Sequence, residues 1–87
     1  MNDAAHELPI EDQLDLHSFR PEDIPSVVEE YLQAAHEKGF REVRLIHGRG
    51  IGARRAVVQR LLRSNPLVES FHDAPESHLG ATVVRLR

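Results

Sequence analysis

The sequence predicts an α+β domain, a two-layer βαβαββ sandwich in which two helices cover one face of a mixed four-stranded sheet. Three observations lead there. Two segments repeat apolar residues at helical spacing, and four shorter ones alternate or are rich in β-branched residues. The first strand, helix and second strand also follow one another so closely that they imply a parallel pair with a right-handed crossover. The 87 residues suffice for one such domain only, because folding at this size buries roughly 60 to 65% of the unfolded surface.

Residues 1–11 contain Pro9 and show no period, so they read as an arm ahead of a domain spanning 12–87, with no chemistry expected in it. Gln13-Leu14-Asp15-Leu16-His17 alternates as a half-buried first strand. After Ser18-Phe19-Arg20-Pro21, the positions Ile24, Val27, Val28, Tyr31, Leu32 and Ala35 mark one face of a helix that Gly39 stops. Pro21 suits its first position; with Asp23 as the cap instead, Pro25 falls in the first turn, where proline is tolerated. Residues 41–47 form the second strand. The glycines of 48–52 break the pattern, and Ala53, Val57, Val58, Leu61 and Leu62 define a second helix that Asn65-Pro66 ends. Leu67–His72 makes a short weak strand and Ala81–Leu86 a strong final one. Placing Leu14, Leu16, Val43, Leu45, Val84 and Leu86 under the helices leaves Asp15, His17, Arg44 and Arg85 outward, on an open face.

Composition narrows the function. With 40% apolar and 29% charged residues the chain resembles ordinary globular domains. The absence of cysteine excludes a disulfide framework and a thiolate zinc site. No apolar run approaches the ~20 residues of a bilayer span, and the acidic first residues do not resemble a secretory leader. A soluble cytoplasmic protein without a membrane partner is expected. The net charge of -3 conceals a division: residues 1–38 carry two cations against ten acids, net -8, while 39–87 carry nine arginines against four acids, net +5. An arginine-only basic half suits an anionic partner, although solvated helix faces would look the same.

His17 and His47 each close a strand just before a helix, and parallel pairing brings such ends together. Each could exchange a proton, bind a metal, or simply fix a turn through its backbone contacts. Gly48-Arg49-Gly50-Ile51-Gly52 before a helix is a phosphate-friendly loop, since glycines let backbone amides approach an anion. No Lys-Ser or Lys-Thr follows, so it is not a P-loop; only 35 residues follow Gly52, too few for a dinucleotide enzyme. HExxH and GxSxG are also absent. Asp15 with His17 could hold a hard divalent ion together with phosphate oxygens and water. His78, before the last strand, would either join the cluster or decorate a turn.

The three motifs together resemble the Smr (small MutS-related) domain family: Leu14-Asp15-Leu16-His17 before the first helix, His47-Gly48-Arg49-Gly50-Ile51-Gly52-Ala53 before the second, and Gly80-Ala81-Thr82-Val83-Val84-Arg85-Leu86 at the end. The resemblance covers roughly residues 12–87 and implies a fold similar to the C-terminal domain of translation initiation factor three. It also implies an endonuclease that nicks or cleaves DNA or RNA phosphodiesters, as MutS2-type and stand-alone bacterial members do, on ribosome-associated RNA or branched DNA. The alternative is a non-catalytic module that binds nucleic acid or a ribosome. Implied catalytic positions are Asp15, His17 and His47. Gly48, Arg49, Gly50, Gly52, Arg54, Arg55 and His78 are expected to hold the nucleic acid, and Asp15 to bind any magnesium or manganese ion used as cofactor. Ser18 stands where the family commonly has glycine, and Ser77-His78 where it commonly has a Gly-Gly pair.

Overall fold

The computed structural model describes residues 10–49, 52–78 and 80–87. It shows the expected two-layer architecture. Strand β1 (Gln13–Asp15) leads through a single 3-10 turn into helix α1 (Ile24–Glu37), followed by β2 (Glu42–Ile46), helix α2 (Ala53–Arg63), β3 (Val68–Asp73) and β4 (Ala81–Leu86). The sheet order is β1-β2-β4-β3, with β1 parallel to β2 and the other neighbours antiparallel. Among the described residues no helix is long and apolar enough to cross a membrane.

The core lies between the sheet and the helices. Ile24, Val28, Tyr31, Leu32 and Ala35 of α1 are buried, as are Val58 and Leu62 of α2, over Val43, Leu45, Val84 and Leu86 of the sheet. Ala53, expected on the apolar face of α2, is exposed. Helix α1 ends in a Schellman arrangement: Phe40 N–H donates to the Ala35 carbonyl, Gly39 N–H to that of His36, and Gly39 takes φ +89°. At the other end Asp23 is the N-cap by position only; its carboxylate accepts from Arg20 Nε and caps no backbone amide. Ile10 packs against the core and the Glu11 carbonyl accepts the Tyr31 hydroxyl, so the end of the expected arm touches the domain. Burial, and then the Asp12 and Glu11 carboxylates, push the Tyr31 pKa up to about 12, which keeps its proton in place.

Two strands differ from expectation. β1 stops at Asp15 because the Asp15 carboxylate accepts the His17 N–H and Phe19 N–H turns back to the Leu16 carbonyl. β3 is as long as the expected Leu67–His72 strand but set one residue later, and its alternation is hidden in the sequence by a bulge between Val68 and Ser70. The open face is also less open than expected. Asp15, His17 and Arg85 are exposed, but Arg44 pairs with Glu76, and Ala74, Ala81 and Val83 form a second small buried cluster with Ile46 against them.

The two departures from the family pattern separate cleanly. His78 is the sole non-glycine with positive φ among the described residues, so Ser18 occupies ordinary backbone, whereas His78 holds the left-handed conformation at φ 54° and ψ 45°. An L-residue there is strained by roughly 1–2 kcal/mol, and glycine is not. Glycine also has the more flexible unfolded chain, which offsets part of that relief. His78→Gly is therefore expected to stabilise the domain by about 0.5 kcal/mol, read as a rise in urea midpoint at unchanged slope. An unchanged or lower midpoint would mean that His78 makes compensating contacts.

Candidate functional site

The parallel register sets Asp15 opposite Ile46, and Leu16 N–H donates to the Ile46 carbonyl at 2.8 Å. The chain that turns after β1 and the loop that leaves β2 thus start side by side at one edge of the sheet. Gly48 and Gly52 of that loop have φ of +83° and +87°. Gly50, a predicted anion-binding residue, lies outside the described residues. The loop entrance is clamped from behind, because the His47 and Gly48 N–H groups both donate to the Gly80 carbonyl, at 3.0 and 2.9 Å.

His47 has turned inward. Only 5% of it is exposed. Its Nδ1 faces the Gly48 carbonyl at 3.2 Å, which can only accept, so Nδ1 carries the hydrogen and Nε2 accepts from the Thr82 hydroxyl at 2.9 Å. Gln59 Nε2 donates in turn to Thr82 Oγ1 and to Asp73 Oδ1. Asp73 is gripped by Arg55 through two parallel bonds of 2.8 and 2.7 Å. That guanidinium holds the Asp73 carboxyl below the usual carboxylate range, and Asp73 raises the Arg55 pKa in return. Burial, reinforced by the Arg55 charge and opposed by the Gly48 hydrogen bond and by Asp73, lowers the His47 pKa. His47 is the neutral imidazole that the hydrogen bonds require.

Asp15 and His17 stand outside. Their side chains are exposed, with His17 Nδ1 at 3.7 Å from Asp15 Oδ1, a screened approach worth little in stability. Among the described residues no group of three His, Asp or Glu side chains is placed to hold a metal ion.

The arginines divide three ways. Arg49 is exposed and has no partner among the described residues. Arg55 is committed to Asp73. Arg54 reaches back across the site: its Nη1 donates to the Leu16 and Phe19 carbonyls at 2.8 and 3.1 Å, tying the start of α2 to the turn that carries His17. Arg49 and Arg54 also border a cleft of about 330 Å³ between the first turns of the two helices, whose apolar walls are Pro21, Ile24, Ala53 and Val57. His47 and Gly48 form part of its lining; Asp15, His17 and Arg55 do not. His78 is exposed at the far end of the 3-10 turn that precedes β4. Gln59, Asp73, Gly80 and Thr82 were not identifiable from local sequence, since their link to His47 depends on the β4 register.

Comparison with known proteins agrees with this fold. The model of the Smr domain matches residues 14–87. Endonuclease MutS2 of Lactiplantibacillus plantarum is 38% identical over 86 residues, 97% of this chain and 11% of that protein. Putative endonuclease MutS2 of Bacillus subtilis is 44% identical over 77 residues, 86% of this chain and 10% of that protein. The chain therefore spans about a tenth of the length of such relatives. Among solved structures, the Smr domain of Thermus thermophilus MutS2 superposes with a TM-score of 0.83 at 37% identity, covering 88% of this chain and 99% of that one. YdaL, a stand-alone small MutS-related protein from Escherichia coli, gives 0.82 at 28% identity, covering 97% and 70%.

In an NMR titration the His47 imidazole is expected to protonate below the ordinary histidine value of about 6.5. The unfolded chain takes up that proton first, so the His47 contribution to stability is full above pH ~6.5 and declines as the pH falls below it. A midpoint at or above 6.5 would contradict the neutral, doubly bonded ring. Arg54→Ala should cost about 1–3 kcal/mol in urea unfolding, because it removes charge-assisted bonds to two carbonyls; a loss below 0.5 kcal/mol, about the noise of a surface change, would show the tie to be idle.

Proposed function

We propose, from the premise that this chain belongs to the Smr domain family, that it is a nucleic-acid endonuclease module nicking or cleaving DNA or RNA, on ribosome-associated RNA or branched DNA in the cytoplasm. The observation that carries this reading is the β1–β2 register, which brings the Asp15–His17 turn and the His47–Arg49 loop to one sheet edge beside an arginine-bordered cleft.

The chemistry requires two proton transfers and charge stabilisation. A base takes the proton of the attacking oxygen, a 2′-hydroxyl on RNA or a water on either backbone, and the leaving oxygen receives one as its bond to phosphorus breaks. His17 is the exposed imidazole available for one transfer, and water serves the other. Asp15 holds the His17 backbone through its N–H, so it sets where that imidazole stands. Arg49 meets the phosphate charge. His47, with both ring nitrogens engaged, positions the loop instead of exchanging protons. A divalent ion would find Asp15 and His17 as donors, fewer than a closed protein site needs, and would complete its shell with phosphate oxygens and water.

A second reading, a non-catalytic module that binds nucleic acid or a ribosome through the same edge, is favoured by the inward-facing His47. One assay separates the two. Labelled DNA and RNA are incubated with the wild type, Asp15→Ala, His17→Ala and Arg49→Ala, with and without a chelator. The nuclease reading expects His17→Ala to lose about a hundredfold or more in cleavage with binding retained, and Arg49→Ala to weaken binding and lower the salt slope by about one. Activity undiminished by chelator removes the metal from the mechanism. Binding without cleavage of any substrate by the wild type would establish the second reading, and no binding at all would overturn both.

A further inference from the structure

We propose that the cleft between the first turns of α1 and α2 receives one nucleobase of a single strand, with the adjoining phosphate against Arg49. This rests on the nucleic-acid reading above and specifies how one nucleotide is held. Two independent features of the cleft point to the same kind of ligand. Its walls are apolar, formed by Pro21, Ile24, Ala53 and Val57, while among the described residues its charged lining consists of two arginines and no acid. An apolar body carrying an anionic edge fits that combination, and a nucleotide within a strand is such a body. Arg49 is free to take the charge, having no partner among the described residues, whereas one nitrogen of Arg54 is already held by two carbonyls.

Size and chemistry limit the occupant further. At about 330 Å³ the cleft lies at the small end of the ~300–1,000 Å³ range of ligand pockets, enough for one nucleotide and not for a run of them. Among the described residues no aromatic ring lines it, so a base is held by burial against aliphatic carbon and not by stacking. His47 is part of the lining, yet both its nitrogens are occupied, which removes the ring as a reader of base edges. The cleft therefore accepts any of the four bases with little preference. Ala53, exposed at the first position of α2, can be enlarged without disturbing the core.

Fluorescence anisotropy with short labelled single strands tests this. Each strand is compared with one of the same length whose nucleotides all lack bases, in deoxyribo and ribo forms so that the two backbones are told apart. Against the wild type, the base-bearing strand is expected to bind about tenfold more tightly than the abasic one, a difference of about 1.4 kcal/mol. In Ala53→Leu, which narrows the cleft, the two affinities are expected to converge. Equal binding of both strands by the wild type would overturn the base cleft and leave the nucleic-acid reading standing. Failure of both strands to bind would overturn the cleft and the nucleic-acid reading alike. A tenfold preference that survives in Ala53→Leu would place the base contact elsewhere.

Discussion

The hydrogen bond from Leu16 N–H to the Ile46 carbonyl continues the parallel β1–β2 pairing one step past the end of β1, and the site depends on that step. A parallel pair needs a long crossover, which α1 provides, and the right-handed crossover places α1 and α2 on the same side of the sheet. Their first turns then meet above the strand ends. A slip of one residue in that register would turn Leu14 and Leu16 outward and bury Asp15 in their place. The fully buried Leu16, a residue before His17, is thus both a core residue and the anchor of the exposed motif.

From that anchor, two polar ties hold the edge in one geometry. Arg54 draws the β1–α1 turn toward α2 through two backbone carbonyls. His47, Thr82, Gln59, Asp73 and Arg55 form a second chain from the loop across β4 to α2 and β3. Neutral and charged groups take different places in it. The uncharged imidazole lies in the buried part, and the ion pair sits where about a third of each side chain still meets water. Within the described residues every buried side-chain nitrogen or oxygen has a partner. Such a network makes a rigid frame, and the groups left free to meet a ligand are the exposed ones: Asp15, His17 and Arg49.

The order of elements was legible because periodicity reports burial, and here burial is simple: each helix has one apolar stripe and the central strands alternate. β3 was legible only as a weak strand because its bulge shifts the alternation partway along. At the site, the pairing of the two histidine motifs was readable from the parallel connection, and Arg49 stands exposed as a ligand-facing arginine would. The fates of Arg54 and Arg55 were not readable. Both sit in a basic run that looks like a phosphate patch, but Arg55 meets an acid 18 positions away and Arg54 meets carbonyls 35 and 38 positions away, contacts that exist only once the sheet order is set. His47 shows the same limit. Its position at a strand end suggested proton transfer, while the parity it shares with Val43 and Leu45 sends it toward the helices.

The proposed nucleic-acid interface is one sheet edge, defined by the β1 and β2 ends and the start of α2. Backbone amide shifts of isotope-labelled protein, followed during titration with a single-stranded oligonucleotide, test it most directly. The largest changes are expected on residues 16–19, 47–49 and 52–54, with the acidic outer face of α1 silent. Changes centred instead on Arg44, His72 and Arg85, across the open face of the sheet, would contradict it.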